Sequence, residues 1–319
     1  MRNPDTLTPG DLNTKPEDTP QGLAFAVGAY GLWGFLPLYM KAIAHIPAAE
    51  IVVHRIIWSV PVGALVLILL GRTATLREAF RSPRTLLMGC VTAALISLNW
   101  GIYIWAVNSG HALDASLGYY INPLFSILLA AILLGERLSK LQMAAIALAA
   151  VAVAILTLES GKFPWVALSL TLTFGLYALA KKRLPIGPNQ GFLLEVLILL
   201  APALVYLGYL IARGETHFAT GVPFDTWMLF GCGLVTAVPL ILYANGAKRL
   251  RLSTIGILQY IAPTMIFLCA VLVFDEPFGR ARMIAFPLIW LALVIYSISL
   301  FRQMRSVKTG EPHPTKARP

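Results

Sequence analysis

Residues Ser116 to Glu136 read SLGYYINPLFSILLAAILLGE. The stretch is apolar for most of its length, is interrupted by Pro123 and stops at an acid, Glu136. It recurs 140 residues on, where Pro123 meets Pro263 and Glu136 meets Glu276. At the same offset Tyr120, Leu128, Met143, Leu148 and Ile155 meet the identical residues Tyr260, Leu268, Met283, Leu288 and Ile295. A constant offset maintained over two helices and their connector marks an internal repeat, and the apolar character of the repeated unit places it in a membrane.

Composition agrees. The chain is 58% hydrophobic and 13% charged, with a mean hydropathy of +0.74, whereas a soluble domain has roughly a quarter of its residues charged. The net charge of +10 would fit a nucleic-acid partner only if the basic residues shared a face with interleaved aromatics. They lie instead in short clusters between apolar runs, so nucleic acid is not expected. Cys90, Cys232 and Cys269 all lie inside apolar runs, with neither metal-ligand nor disulfide spacing, and no cofactor or metal is expected.

A span needs about 20 residues to cross roughly 30 Å of hydrocarbon. Ten runs qualify: 22–43, 49–70, 85–107, 112–134, 141–158, 163–180, 191–212, 227–247, 253–273 and 282–301. The expected fold is therefore an all-α polytopic membrane protein of ten helices in two five-helix repeats, 21–158 and 159–302. Residues 1–20 and 303–319 are expected to be cytoplasmic tails, the first disordered for its Pro, Thr and Asp content and lacking the pattern of a signal peptide. With both ends inside, 19 of the 25 Lys and Arg fall in inside segments, five fall outside and Arg55 lies within a span. This is a positive-inside pattern. An odd number of spans per unit then turns the second repeat upside down relative to the first.

No phosphate-cradling loop, nucleophile elbow or helical metal motif occurs, so an enzyme is not expected. Candidate function rests on polar residues within spans, which are costly in lipid. Glu50, His54 and Arg55 fall in the second span and Glu195 in the seventh. At an offset of 141, His54 and Glu195 are equivalent, and each lies seven residues past a proline, Pro47 or Pro188. That is roughly 10 Å of depth at the helix rise. Glu195 has no basic neighbour in sequence, and a desolvated carboxyl there, assisted by His54, is a candidate proton carrier. The competing readings are a bound substrate amine, or pairing with a cation of another helix such as Arg55. Asn99, Trp100 and Tyr103 in the third span, Tyr119, Tyr120 and Asn122 in the fourth, and Gln259 and Tyr260 in the ninth form polar stripes. These either line a central cavity or join helices. Pro123 and Pro263 are candidate hinges. Glu136 and Glu276, at the span ends, are expected to tie down neighbouring helix ends or loops.

The segments PAAEIVVHRIIWS (47–59), NWGIYIWAVNSGHALDASLGYYINPL (99–124), LGERL (134–138) and RLRLSTIGILQYIAPTMIFL (249–268) resemble the EamA family of the drug/metabolite transporter superfamily, and within it a branch of the bacterial inner membrane. The resemblance covers residues 21–302. It implies a ten-helix secondary carrier in that membrane, with a central cavity between inverted repeats and a small polar or amphipathic metabolite or drug as cargo. The partners so implied are the substrate, the lipid bilayer and, on the Glu195 reading, protons. A membrane-embedded enzyme would instead need clustered catalytic groups at one depth, and a passive channel a continuous polar ring.

Overall fold

The computed structural model describes residues 19–69, 71, 73–134, 138–247, 249–250 and 252–309. Within them the chain forms α1 (Pro20–Ala42), α2 (Ala48–Leu69), α3 (Thr73–Arg81), α4 (Pro83–Asn108), α5 (Ala112–Leu134), α6 (Lys140–Ser160), α7 (Trp165–Arg183), α8 (Pro188–Arg213), α9 (Pro223–Ala247), α10 (Leu252–Leu258), α11 (Ile261–Leu272) and α12 (Arg280–Thr309). Among the described residues nine segments are long and apolar enough to cross a bilayer, counting Thr254–Leu272 as one, and α7 adds a shorter apolar stretch, Trp165–Lys181. Residues 1–18 and 310–319 of the expected tails, and Glu136, lie outside the described residues.

Local chemistry sets the helix ends. Thr19 accepts a hydrogen bond from the Gly22 amide at 3.0 Å with Pro20 following it, and Ser82 does the same for Thr85 at 3.3 Å ahead of Pro83. Proline is suited to a first turn, where its missing N–H has no partner to lose. Ser139 and Gln142 form a reciprocal capping box at the start of α6. Gly161 and Gly214 close α6 and α8 in the left-handed region, at φ +63° and +67°.

Three features depart from the sequence reading. Residues 71–84, read as a plain connector, contain α3. Its Leu76 and Ala79 turn inward while Arg77, Glu78 and Arg81 stay outside, and Leu76 packs on Leu67, Leu193 and Val196. The ninth span is two helices, α10 and α11, parted at Gln259–Tyr260. Pro263 has no N–H to give the Gln259 carbonyl four residues back, and its ring crowds that carbonyl. Pro123, its repeat partner, sits inside the unbroken α5, so the two candidate hinges are not alike. Finally, α12 runs on to Thr309, into the expected tail.

Most of the packing between the expected repeats 21–158 and 159–302 is paired under their exchange. α1 packs on α9 as α4 packs on α7; α1 on α11 as α5 on α7; α2 on α9 as α4 on α8. The self-equivalent pairs α2·α8, α5·α11 and α6·α12 also pack, whereas α5·α12 and α3·α8 have no exchanged counterpart of similar extent among the described residues. Close approach at these seams relies on small residues. A Cβ at Gly118 would stand 2.7 Å from the Ala167 carbonyl oxygen, and one at Gly233 would overlap the Trp58 carbonyl. The outer surface is apolar, with Leu69, Leu158 and Val205 largely exposed, as lipid contact requires.

Candidate functional site

Arg55 marks the centre of the site. It is 3% exposed, and its Nε donates to Thr236 Oγ1 of α9 at 3.0 Å. The guanidinium lies 4.6 Å from the centre of the Trp100 ring, a cation–π contact. Tyr39, Tyr103, Tyr119 and Cys232 are within electrostatic reach of it. Nη1 is buried and has no acceptor. Tyr103 and Tyr119 pack ring to ring at 5.8 Å; the Tyr103 hydroxyl is likewise buried without a partner. The Tyr119 hydroxyl donates to Asn99 Oδ1 at 3.3 Å, and Asn99 Nδ2 donates to the Leu170 carbonyl and Thr173 Oγ1 of α7 at 3.1 and 2.8 Å. Arg55, Trp100 and Tyr119 sit seven or eight residues from the helix ends opposite the termini, so they share a depth of roughly 10–12 Å.

Above this cluster lies a plug. Glu50 is fully buried and accepts from the His217 amide at 2.7 Å, from His217 Nδ1 at 2.7 Å and from Thr216 Oγ1 at 3.0 Å. These bonds fasten the α8–α9 connector, residues 214–222, onto α2. Phe218 from that connector lies 4.8 Å from the His54 ring and 5.8 Å from Trp58. Trp58 Nε1 donates to His54 Nδ1 at 3.2 Å. The Nδ1 atom is therefore an acceptor, which puts the imidazole proton on Nε2. Glu50 and His54 share a helix face but not a bond; Glu50 serves the loop. Beside it His45 Nε2 lies 2.9 Å from Asp225 Oδ1, and the His45 and His217 rings are 6.2 Å apart.

Glu195 is 2% exposed and stands apart from Arg55. Lys181 Nζ of α7 donates to its Oε1 at 2.6 Å, and the Tyr177 hydroxyl to its Oε2 at 3.3 Å. The premise of a lone acid is thereby corrected. Its cation comes from a neighbouring helix, as one competing reading anticipated, but it is Lys181 and not Arg55. Lys181 lies fourteen residues away in sequence, beyond any local pattern.

The remaining candidates scatter. Asn122 is buried on α5 with Oδ1 unpartnered. The Tyr120 hydroxyl lies 2.7 Å from Thr264 Oγ1, and its ring packs on Phe286 and Trp290, away from the arginine. Gln259 Nε2 donates to the Gly256 carbonyl of α10 at 3.0 Å, and Gln259 and Tyr260 stand at the α10–α11 break. Glu276 takes the structural role expected: its two oxygens accept from the Ala112 and Leu113 amides at 2.7 and 2.9 Å, capping α5 from another chain segment. A cleft of about 600 Å³ between α2, α4, α7 and α8 is lined by apolar residues including Val52, Val53, Leu98 and Trp105, and by none of the candidates. Sequence reasoning missed Thr236, Phe218, His217 and Lys181. Thr236 alone carried a signal, as a polar residue within an apolar span.

Residues 20–158 match the model of the EamA-like transporter family. The chain is 42% identical to the protein named RarD of Streptomyces exfoliatus, over 89% of this chain and 90% of that one. It is 41% identical to the uncharacterized transporter YojE of Bacillus subtilis, over 92% and 98%. A crystal structure at 20% identity superposes with a TM-score of 0.58 over 90% of this chain and 99% of the other, which speaks for the fold alone.

Proposed function

We propose, since this chain belongs to the EamA-like transporter family and within it to the RarD type, that it is a secondary carrier moving small polar or amphipathic metabolites through the bundle centre by alternating access. The observation that carries the reading is the buried polar cluster around Arg55. It lies where α2 and α4 of one unit meet α9 of the other, about one turn beneath the plug of residues 214–222.

In this proposal the units 21–158 and 159–302 rock against each other about the substrate. The conformation described has its plug seated: Glu50 holds the loop and Phe218 covers His54. Release of the loop from α2 opens the site on that side. With both termini cytoplasmic in the bacterial inner membrane, that side is the periplasmic one. The sequence has no nucleotide-binding motif, so the driving force is a gradient of solute or ion. A proton-linked form of the proposal runs through the Glu195–Lys181 pair, and a proton arriving at Glu195 has to displace the lysine.

The test is uptake and counterflow in proteoliposomes with a panel of small metabolites. The proposal expects saturable flux of some panel members that an excess of unlabelled solute on the opposite side accelerates. Flux that rises linearly with concentration and shows no acceleration belongs to a channel and overturns it.

A further inference from the structure

We infer that Arg55 is the anchor for the carboxylate of a small organic anion, held with its aromatic or apolar body against Trp100, Tyr103 and Tyr119. This deepens the carrier reading above and rests on it for the route by which the ligand arrives.

Consider first where the acids of the protein are spent. Four carboxylates are buried among the described residues, and each is engaged elsewhere. Glu50 holds Thr216 and His217, Glu195 holds Lys181, Asp225 faces His45, and Glu276 caps α5. Asp114, less deeply placed, pairs with Arg282 at 3.0 Å. No acid described lies within salt-bridge reach of Arg55. The residue carries a permanent charge, because guanidinium does not give up its proton in proteins. It is nonetheless buried with one hydrogen bond, one aromatic face and an unspent Nη1.

A buried cation without an anion is an expensive arrangement, and protein interiors pair such charges. The partner missing among the described residues is, on this inference, supplied from outside the fold. Its chemistry follows from what waits for it. The planar fork of arginine matches a carboxylate, which accepts two parallel N–H bonds. The Tyr103 hydroxyl, also unpartnered, is a further donor for an anionic oxygen. The side chains beside the guanidinium, Trp100, Tyr103 and Tyr119, are aromatic, which suits a flat or apolar body. Among the described residues no buried carboxylate is free to meet an ammonium, so a net anion fits this centre better than a zwitterion or a cation.

The experiment compares benzoate with benzamide and benzylamine, which keep the ring and change the charge. Thermal shift of the full chain in detergent, titrated with each compound, reads binding to the folded protein. Benzoate is expected to raise Tm in a saturable way, while benzamide and benzylamine at equal concentration leave it unchanged. In Arg55→Gln the benzoate half-saturation rises at least about tenfold, the loss expected when a charged hydrogen-bonding group is removed. Tyr103→Phe deletes a single unpartnered oxygen and keeps the fold; it weakens benzoate several-fold and leaves benzamide as before, which locates the site even where Arg55→Gln fails to fold. Equal shifts with benzoate and benzamide in the wild type, or an undiminished benzoate preference in folded Arg55→Gln or in Tyr103→Phe, overturn the inference. Counterflow of the same compounds in proteoliposomes separates this inference from the carrier reading. Flux of benzamide or benzylamine without benzoate sinks the anion site and leaves a carrier; benzoate binding without flux of any compound does the reverse.

Discussion

Glu276→Ala is the sharpest test of how the two units are tied. The Glu276 carboxylate accepts the Ala112 and Leu113 amides at 2.7 and 2.9 Å, and both of those residues are fully buried. Alanine leaves two buried N–H groups at the start of α5 without acceptors, each costing about 1–3 kcal/mol. Loss of the negative charge at the helix N-terminus adds about 0.3–1 kcal/mol. The Asp114–Arg282 pair still holds the same helix end, so the lower part of the range is expected, about 3 kcal/mol in all. At about 2 °C per kcal/mol for a chain of this size, Tm falls by about 6 °C. Glu276→Gln keeps one acceptor oxygen and should fall by about half as much. Protein in nanodiscs, heated at one fixed scan rate, gives the comparison, since membrane proteins commonly unfold irreversibly. Glu215→Ala, which removes an exposed partner of Arg213, serves as a control with no measurable change. If Glu276→Ala matches that control, the cap seen between the α11–α12 connector and α5 contributes nothing and the reasoning fails.

Glu195→Gln alone strands Lys181 as a buried cation, a loss of about 2–3 kcal/mol once the 20% exposure of the lysine side chain is allowed for. The double variant Glu195→Gln with Lys181→Met should recover most of that Tm, and it is the fair protein in which to ask whether flux still responds to an imposed pH gradient. Glu50→Gln should loosen the plug, speeding amide exchange at His217 by about tenfold; unchanged exchange across 214–222 would show that Glu50 does not hold it. Pro263→Ala returns a donor to the Gln259 carbonyl and should raise stability by about 1–3 kcal/mol, with slower transport if the α10–α11 break bends during the cycle. Gly233→Ala pushes a methyl group into the Trp58 carbonyl and should cost about 1–3 kcal/mol, read as a lower Tm with faster amide exchange in α2 and α9.

The span pattern was legible because lipid imposes one rule on every turn of a spanning helix, and the Thr19, Ser82 and Ser139 caps and the prolines that open α1, α4 and α8 are written locally. Inward placement of Asn99, Tyr103 and Arg55 followed from their cost in hydrocarbon. What escaped reading was pairing over distance. Lys181 counted as one of several basic residues at a span end, and nothing near it in sequence pointed to Glu195. His217 and Phe218 sit in a polar connector whose only visible property was its length. The break at Gln259–Tyr260 was hidden by the repeat itself: Pro123 and Pro263 occupy equivalent positions, yet only the second interrupts its helix.

The asymmetry between the units is where the chemistry lies. The repeat relates Arg55 to Val196, and Val196 is fully buried against Leu67 and Leu193. One repeat thus supplies the cation and the other an apolar filling at the equivalent position; on the proposed carrier reading, two similar halves rock about a centre that favours one kind of ligand. The hydrogen bond from the Arg55 side chain crosses between the halves, from α2 to Thr236 on α9. Those are the helices that the plug and the Gly233 contact hold together. A ligand shifts a conformational equilibrium only through its different affinity for the two states. On the proposed reading, a carboxylate that draws the guanidinium to itself takes the tie to Thr236 away and so favours the parting of α2 from α9. A neutral analogue leaves that tie in place. Recognition of the anion and release of the gate are then one event at one side chain, and Thr236→Val should raise flux of neutral analogues while leaving the benzoate half-saturation within about twofold of wild type.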